Sequence, residues 1–197
     1  MKLISEGAEA KIYLCNIWGS NIIAKVRLEK AYREKLLDEK IRSARTKNEA
    51  RILYRMEHAG VAAPRLVGVG KFSIYMTFIK GALLRDIKKK KEILFEVGKM
   101  LAKMHNEDVS HGDFTPANII VSNGAPYVID FGLAEITKSM EEKAIDLLLM
   151  KRSLATAQYK ELETSYLRYA KEGKKIKERL NEIEKRGRYK TRTLQTD

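Results

Sequence analysis

Three oxygen-bearing side chains, Asp113, Asn118 and Asp130, stand in an order and spacing that suits the transfer of a phosphoryl group. The stretch reads His111-Gly112-Asp113-Phe114-Thr115-Pro116-Ala117-Asn118, and Asp130-Phe131-Gly132 begins twelve residues after Asn118. A nucleoside triphosphate brings concentrated negative charge, so its site needs a hard cation, and hard cations take oxygen ligands. Asn118 and Asp130 are the candidate Mg²⁺ ligands. Asp113 is the candidate base, placed to accept the proton of an attacking hydroxyl or to position a water. Asp-Phe-Gly alone occurs in many turns. In this order, with each piece beside an apolar run, the residues point to a site that uses ATP and Mg²⁺.

Such a site also needs a cation on the phosphates and something to cover them. Lys25, in Ile22-Ile23-Ala24-Lys25-Val26, is the strand lysine that fits. A carboxylate on the next helix must orient it. Glu49 is the choice, with Glu34 and Glu39 as rivals, because sequence does not fix the rotation of a helix. Ser5-Glu6-Gly7-Ala8-Glu9-Ala10 occupies the place of a phosphate-covering loop, with one glycine and small residues at 8 and 10 that allow close backbone approach. Met76-Thr77-Phe78-Ile79 falls where the chain crosses between two lobes, and its backbone is the candidate partner of an adenine edge. Asp146 lies inside an apolar helical run: either it is an exposed acid on the helix's polar face, or it is buried and must find hydrogen bonds, in which case it is expected to hold the backbone of the His111 loop. His111 is expected to orient that loop. Neither His105 nor His111 has the neighbours of a zinc site.

The elements that must position these residues are legible as patterns. Lys11–Leu14 and Asn21–Arg27 read as strands around a turn that includes Trp18 and Gly19. Residues 29–58 lack Gly and Pro and carry apolar residues at helical spacing, so one long helix or two joined are expected there. Residues 64–70 and 72–79 read as two more strands. A helical region is expected from Gly81, with 93–104 its clearest part. Residues 119–121 and 127–129 form a hairpin around Asn123-Gly124. From Ser139 onward only helix is expected, at 140–155, 158–170 and 174–186, with a loose tail from Gly187. The expected fold class is α+β: a small antiparallel sheet plus helix over residues 1–79, a mostly helical lobe over 80–186, and a basic tail over 187–197.

Bulk properties exclude several classes. The 197 residues are 44% hydrophobic and 33% charged, which fits a globular chain rather than a disordered one. A single cysteine, Cys15, permits no internal disulfide and fits a reducing compartment. No window reaches the length of a membrane span and no signal segment opens the chain, so a cytoplasmic protein with no membrane partner is expected. The net charge of +13 attracts polyanions. Lys185, Arg186, Arg188, Lys190 and Arg192 fall within eight residues near the end and are interleaved with Tyr189, the composition of a nucleic-acid-binding arm.

Over nearly its whole length the chain resembles the small atypical protein kinase subunits of the KEOPS complex, relatives of the RIO kinases. The likeness is carried by residues 5–10, Ile41-Arg42, Glu49-Ala50-Arg51, residues 111–115, Asp130-Phe131-Gly132-Leu133, residues 143–147 and the short basic Gly187-Arg188-Tyr189-Lys190 end. The resemblance implies a two-lobed protein-kinase-like fold. It also implies an ATP-dependent partner of the tRNA-modifying enzyme that makes threonylcarbamoyladenosine, acting as an ATPase, with serine/threonine phosphorylation and autophosphorylation. tRNA and the other complex subunits are the implied partners. Against ordinary protein kinases, Gly112 replaces an arginine and Thr115 a lysine, and Thr77 stands where the resembled family's hinge is expected to carry an acidic residue. The stretch between Gly132 and Met140 is too short for an activation loop, so a peptide-docking platform is not expected. The alternatives are a small-molecule phosphotransferase of the aminoglycoside or choline type, and a non-catalytic tRNA-binding scaffold.

Overall fold

A computed structural model describes residues 1–17, 19–88 and 90–193, with side chains described as far as Arg186. Trp18 and Lys89, and the side chains of Arg188, Lys190 and Arg192, lie outside the described residues. The first half builds one antiparallel sheet from β1 (Lys2–Glu6), β2 (Ala10–Ile17), β3 (Ser20–Arg27), β4 (Leu66–Val69) and β5 (Ser73–Thr77), in the order β1-β2-β3-β5-β4. β3 is central, and Lys25 pairs with Ile12 on one side and Ile74 on the other. Residues two apart on a strand share a face. Lys25 and Arg27 therefore project together, while Ile22 and Ala24 bury on the opposite side.

Between β3 and β4 runs α1 (Lys35–His58). It begins later than the apolar spacing suggests, because Glu34 caps it. The Glu34 carboxylate accepts from the amides of Leu36 at 3.0 Å and Leu37 at 2.8 Å, satisfying donors that the first turn leaves free. Residues 29–34 are consequently outside the helix, and Leu36 and Leu37 are exposed rather than core. The helix ends at Ala59, and Gly60 follows at a φ of +65°, the left-handed turn that glycine takes without strain. The C-terminal half of α1 buries Ile52, Leu53 and Met56. Its earlier turns bury charge instead, Asp38 and Glu49, and each is paired.

The helical region expected from Gly81 opens differently. A two-residue strand, β6 (Ala82–Leu83), and a 3₁₀ turn at Leu84–Asp86 come first, and α2 spans Lys91–Asn106. Gly81 cannot start a helix there. A Cβ at this position would sit 2.3 Å from the Val121 carbonyl oxygen, because β6 pairs with β8. β7 (Val109–Ser110), β8 (Ile119–Ser122), β9 (Ala125–Val128) and β10 (Glu135–Ile136) frame the motif loops. β8 and β9 close around Asn123-Gly124, both at positive φ, as a tight hairpin turn requires. Three helices finish the described chain: α3 (Met140–Ser153), α4 (Thr156–Tyr169) and α5 (Gly173–Thr193). The expected loose tail from Gly187 is helical through Thr193. Once a helix is nucleated each added residue gains a hydrogen bond, and Lys and Arg are good helix formers.

α2 and α4 approach through Gly98. A Cβ on it would lie 2.2 Å from the Leu162 carbonyl oxygen and 3.1 Å from the Ser165 Cβ. The helices thus meet with backbone nearly in contact, bringing His105 on α2 to Tyr166 on α4. Gly98→Ala gains helix propensity but forces α2 and α4 apart. Urea denaturation is expected to show a net loss of about 1–3 kcal/mol, where an exposed helical Gly→Ala would be stabilising.

Candidate functional site

The site is built on the end of β3, the middle of α1 and two loops. One loop, between β7 and β8, carries His111, Asp113 and Asn118. The other, between β9 and β10, carries Asp130, Phe131 and Gly132. β8 and β9 bring the loops together, and the Ile129 amide donates to the Asn118 carbonyl at 2.9 Å, directly beside Asp130.

Lys25 is the hub. Its ammonium donates to Glu49 Oε1 and to Asp130 Oδ1, each at 2.7 Å. The lysine side chain is 8% exposed and that of Glu49 2%, whereas that of Asp130 is 55% exposed. Glu49 is therefore the carboxylate that meets Lys25. Of its rivals, Glu34 caps α1 and Glu39 pairs with Lys71 at 2.6 Å. A second cation shares Glu49, because Arg27 Nη2 donates to Oε2 at 2.5 Å. Next to Glu49, the Asn48 amide donates to the Ala134 carbonyl at 2.9 Å, tying α1 to the segment after Gly132. Residue types alone did not single out Arg27 or Asn48. The signal for Arg27 was its place two residues beyond Lys25 on a strand.

Asp130 sits at a φ of +63°, an uncommon conformation for a side-chain-bearing residue. Its carboxylate also accepts from the Gly132 amide at 3.2 Å. Burial pushes its pKa up, but the charge and hydrogen bond of Lys25 outweigh this and hold it below the ordinary carboxylate value. Phe131 is buried, with its ring 5.2 Å from that of His111. Asp113 Oδ2 accepts from Asn118 Nδ2 at 2.8 Å, and the same amide group donates to the Asp113 carbonyl at 2.9 Å. Both bonds use the Asn118 NH₂, which leaves its Oδ1 as the atom a hard cation would take. The donors thus fit a small divalent ion: an amide oxygen, and a carboxylate already bonded to an ammonium cation.

The loop rests on buried hydrogen bonds. Asp146, on α3, accepts from the His111 amide at 2.7 Å and the Gly112 amide at 2.9 Å. His111 accepts from the Asp113 amide at Nδ1, which puts its ring proton on Nε2 for the Ile129 carbonyl at 3.1 Å. Gly112 lies at a φ of +77°, and a Cβ there would meet the Leu133 carbonyl oxygen at 2.6 Å. Only glycine lets the two loops touch at that point.

The candidate covering segment, Ser5–Ala10, is a short hairpin, with Ser5 and Glu6 in β1 and Ala10 starting β2. Gly7 donates to the Ala10 carbonyl at 3.0 Å, Glu9 pairs with Arg45 of α1 at 2.8 Å, and Lys30 donates to the Ala8 carbonyl. At the crossing segment Met76 is buried, and Thr77 is bound to Arg65 through both its amide and its hydroxyl. The Phe78 amide donates to the Asn21 carbonyl at 3.3 Å. These two amides are therefore already used, and Met76 and Thr77 pair within the sheet, which leaves the Ile79 amide and the carbonyls beyond β5 for a ligand edge. Lys185 and Arg186 lie on exposed turns of α5, and Arg186 pairs with Glu141 at 3.3 Å. A concavity of about 500 Å³ lined by Gly60, Lys99, Met100, Lys103 and the Asn123–Gly124 turn contains none of the site residues.

His105 supports Asp146 from behind. Burial and the Asp146 charge keep the Tyr166 hydroxyl protonated far above its ordinary range, and it donates to His105 Nδ1 at 2.7 Å. His105 Nε2 then donates to Asp146 Oδ2 at 3.2 Å. Burial pushes the His105 pKa down, against the raising effect of Asp146. The unfolded chain takes up a proton near pH 6.5 that the buried ring refuses. The contribution of this residue is therefore complete above that pH and is lost as pH falls towards the lower folded-state value. The expected slope is at most about 1.4 kcal/mol per pH unit. Urea midpoints from about pH 7.5 to about pH 5.5 should fall less steeply in His105→Gln than in the parent. Equal slopes would remove His105 as the source.

The RIO-domain family pattern matches residues 11–152 of this chain. The sequence is 37% identical over 216 residues to the KEOPS complex subunit Bud32 of Pyrococcus abyssi, covering 98% of each chain. It is 37% identical over 188 residues to a probable serine/threonine-protein kinase BUD32 homolog of Archaeoglobus fulgidus, covering 93% of this chain and 94% of that one. It also matches a probable bifunctional tRNA threonylcarbamoyladenosine biosynthesis protein of Methanobrevibacter smithii at 37% identity, covering 95% of this chain but 36% of the longer relative. Among solved structures, the Rio2 kinase ADP/Mg²⁺-phosphoaspartate complex from Chaetomium thermophilum superposes with a TM-score of 0.66 at 14% identity, covering 96% of this chain and 72% of that one. That likeness shows the fold, a protein-kinase-like one with an antiparallel N-terminal sheet and a helical C-terminal part. With the fold, the family pattern and near-full-length relatives in agreement, the chain belongs to the RIO-domain family, among its Bud32-type members.

Proposed function

We propose that this protein is an ATP-dependent atypical kinase or ATPase that serves a KEOPS-type complex in making threonylcarbamoyladenosine in tRNA, in the cytoplasm, and that it can phosphorylate serine or threonine, its own included. The observation that carries the nucleotide site is the single ammonium of Lys25 bridging Glu49 and Asp130, at 2.7 Å each, beside the Asp113–Asn118 pair. Lys25 meets the phosphates and Glu49 orients it. Residues 5–10 cover the phosphates, and residues 76–79 meet the adenine through the Ile79 amide and backbone carbonyls. Asn118 and Asp130 hold Mg²⁺, which when bound neutralises charge on the phosphates. Asp113, oriented by Asn118 and by its amide bond to His111, takes the proton of the attacking hydroxyl or water. His111 and Asp146 fix the loop. Residues 1–79 supply the cover and the lysine, and residues 80–186 the base and the metal ligands. The names of the relatives support the KEOPS setting.

The base and the metal ligand are separable by measurement. Mg-ATP affinity is expected to survive Asp113→Ala within about threefold and to weaken at least about tenfold in Asp130→Ala, while turnover falls by about 10²-fold or more in both. Calorimetry with ATP and Mg²⁺ on each variant decides. Equal loss of affinity, or loss only in Asp113→Ala, reverses the assignment.

We also propose that the basic end reaches tRNA, through Lys185, Arg186, Arg188, Lys190 and Arg192. Set along one helix at the end of the chain, these cations follow a phosphate backbone without disturbing the core. Each neutralised phosphate releases counterions, so affinity falls with salt at a log–log slope of about −0.7 to −0.9 for every phosphate engaged. Removing residues 185–197 is expected to weaken tRNA binding and to flatten that slope by about one unit for each phosphate no longer neutralised, with ATP affinity unchanged. Fluorescence anisotropy over a salt series tests this, and identical slopes for the two proteins would assign the +13 charge elsewhere.

A further inference from the structure

Arg27 has no place in the roles assigned above, yet it is among the most constrained charged residues of the chain. It is 5% exposed, and its Nε is buried without a hydrogen-bond partner. Burying an arginine with a donor unmet is costly, and an apolar side chain would cost less there. The position is also pointed at the cleft. A Cβ added to Gly132 would lie 3.0 Å from Asp130 Oδ1, 3.3 Å from Lys25 Nζ and 3.8 Å from Arg27 Nη2. Three charged heads converge on one point of backbone, and the arginine is the third.

The charge balance suggests what the arginine does. Two cations, Lys25 and Arg27, face two anions, Glu49 and Asp130, and the cluster is neutral as it stands. A bound metal–nucleotide would take Asp130 as a ligand and so leave Lys25 without that carboxylate. Without Arg27, Glu49 would then balance Lys25 fully, and no net charge would face the phosphates. With Arg27 on Oε2, Glu49 is already neutralised and the charge of Lys25 is left over. Glu49 also stays anchored when the lysine leans towards the nucleotide, so α1 keeps its place against the sheet. We infer that Arg27 is a positioning residue that neutralises and anchors Glu49, freeing the charge of Lys25 for the nucleotide phosphates. This role presupposes the nucleotide site proposed above.

The test is a double-mutant cycle read as Mg-ATP dissociation constants by calorimetry on the full chain. Arg27→Gln is expected to weaken binding about tenfold, within the range of coupling seen for residues sharing one network. Arg27→Lys, which keeps the charge, is expected to stay within about threefold of the parent. The decisive protein is Arg27→Gln with Glu49→Gln. With no carboxylate to neutralise, the arginine is no longer needed, so the double variant should bind Mg-ATP within about threefold of Glu49→Gln alone. A merely structural arginine predicts additive loss, and an arginine that touches phosphate itself predicts a double variant clearly weaker than Glu49→Gln. Either result overturns the inference. If Arg27→Gln does not fold, Glu49→Gln is compared with the double variant, in which the buried charge and its counter-charge have both gone. Equal affinities support the role and a further loss on removing Arg27 overturns it. A parent protein that binds no Mg-ATP would overturn the nucleotide site itself.

Discussion

A carboxylate that is almost wholly buried must be neutralised by its neighbours, and Glu49 is neutralised by cations on a different element of the chain. This one requirement fixes α1 against the sheet. Breaking a buried pair by removing one partner typically costs about 3–5 kcal/mol, so the helix cannot rotate or withdraw cheaply while Lys25 and Arg27 stay in place. Asn48 adds a second tether, to the backbone at Ala134. Sheet, helix and the loop after Asp130 are therefore joined at one place. The apolar packing of Ile52, Leu53 and Met56 supplies attraction without direction, and the charged pairs supply the register.

A second buried acid performs the matching task in the helical half. Asp146 takes two backbone amides of the His111–Asn118 loop and is braced by His105, which is braced in turn by Tyr166. Three helices, α2, α3 and α4, thus contribute one side chain each to a single chain of hydrogen bonds that ends at the loop. The close approach at Gly98 is what lets α2 and α4 stand near enough for the first link.

The parts of the molecule legible in the sequence were those with short-range rules. Short β-rich runs between turn residues located β2, β3 and β5, Asn123-Gly124 marked its hairpin, and the order of Asp113, Asn118 and Asp130 marked the loops. Glu49 was separable from Glu34 and Glu39 only by the rotation of α1, which three-dimensional packing sets. Elsewhere local patterns misled. Apolar Leu36 and Leu37 suggested core, but they lie at the capped outer end of α1. Gly81 suggested the start of a helix, but it serves a close crossing of backbone. The tail past Gly187 lacked apolar periodicity, yet helix persists there because propensity and continuation suffice. The Tyr166–His105 brace left no motif, since its links span 41 or more residues of chain, and Arg27 left only its place two residues beyond Lys25.

The close approach of Gly112 to the Leu133 carbonyl bears on how this site could change over generations. Glycine codons lie one nucleotide from arginine codons, so an arginine before Asp113 arises readily by mutation. Here that route is closed, because the position needs a left-handed backbone and has no room for a side chain. A lineage starting from this loop would first have to move the segment at Leu133 before the arginine brought any benefit. Genetic nearness and structural nearness are thus uncoupled at this residue: the geometry requires glycine whatever charge would be useful there.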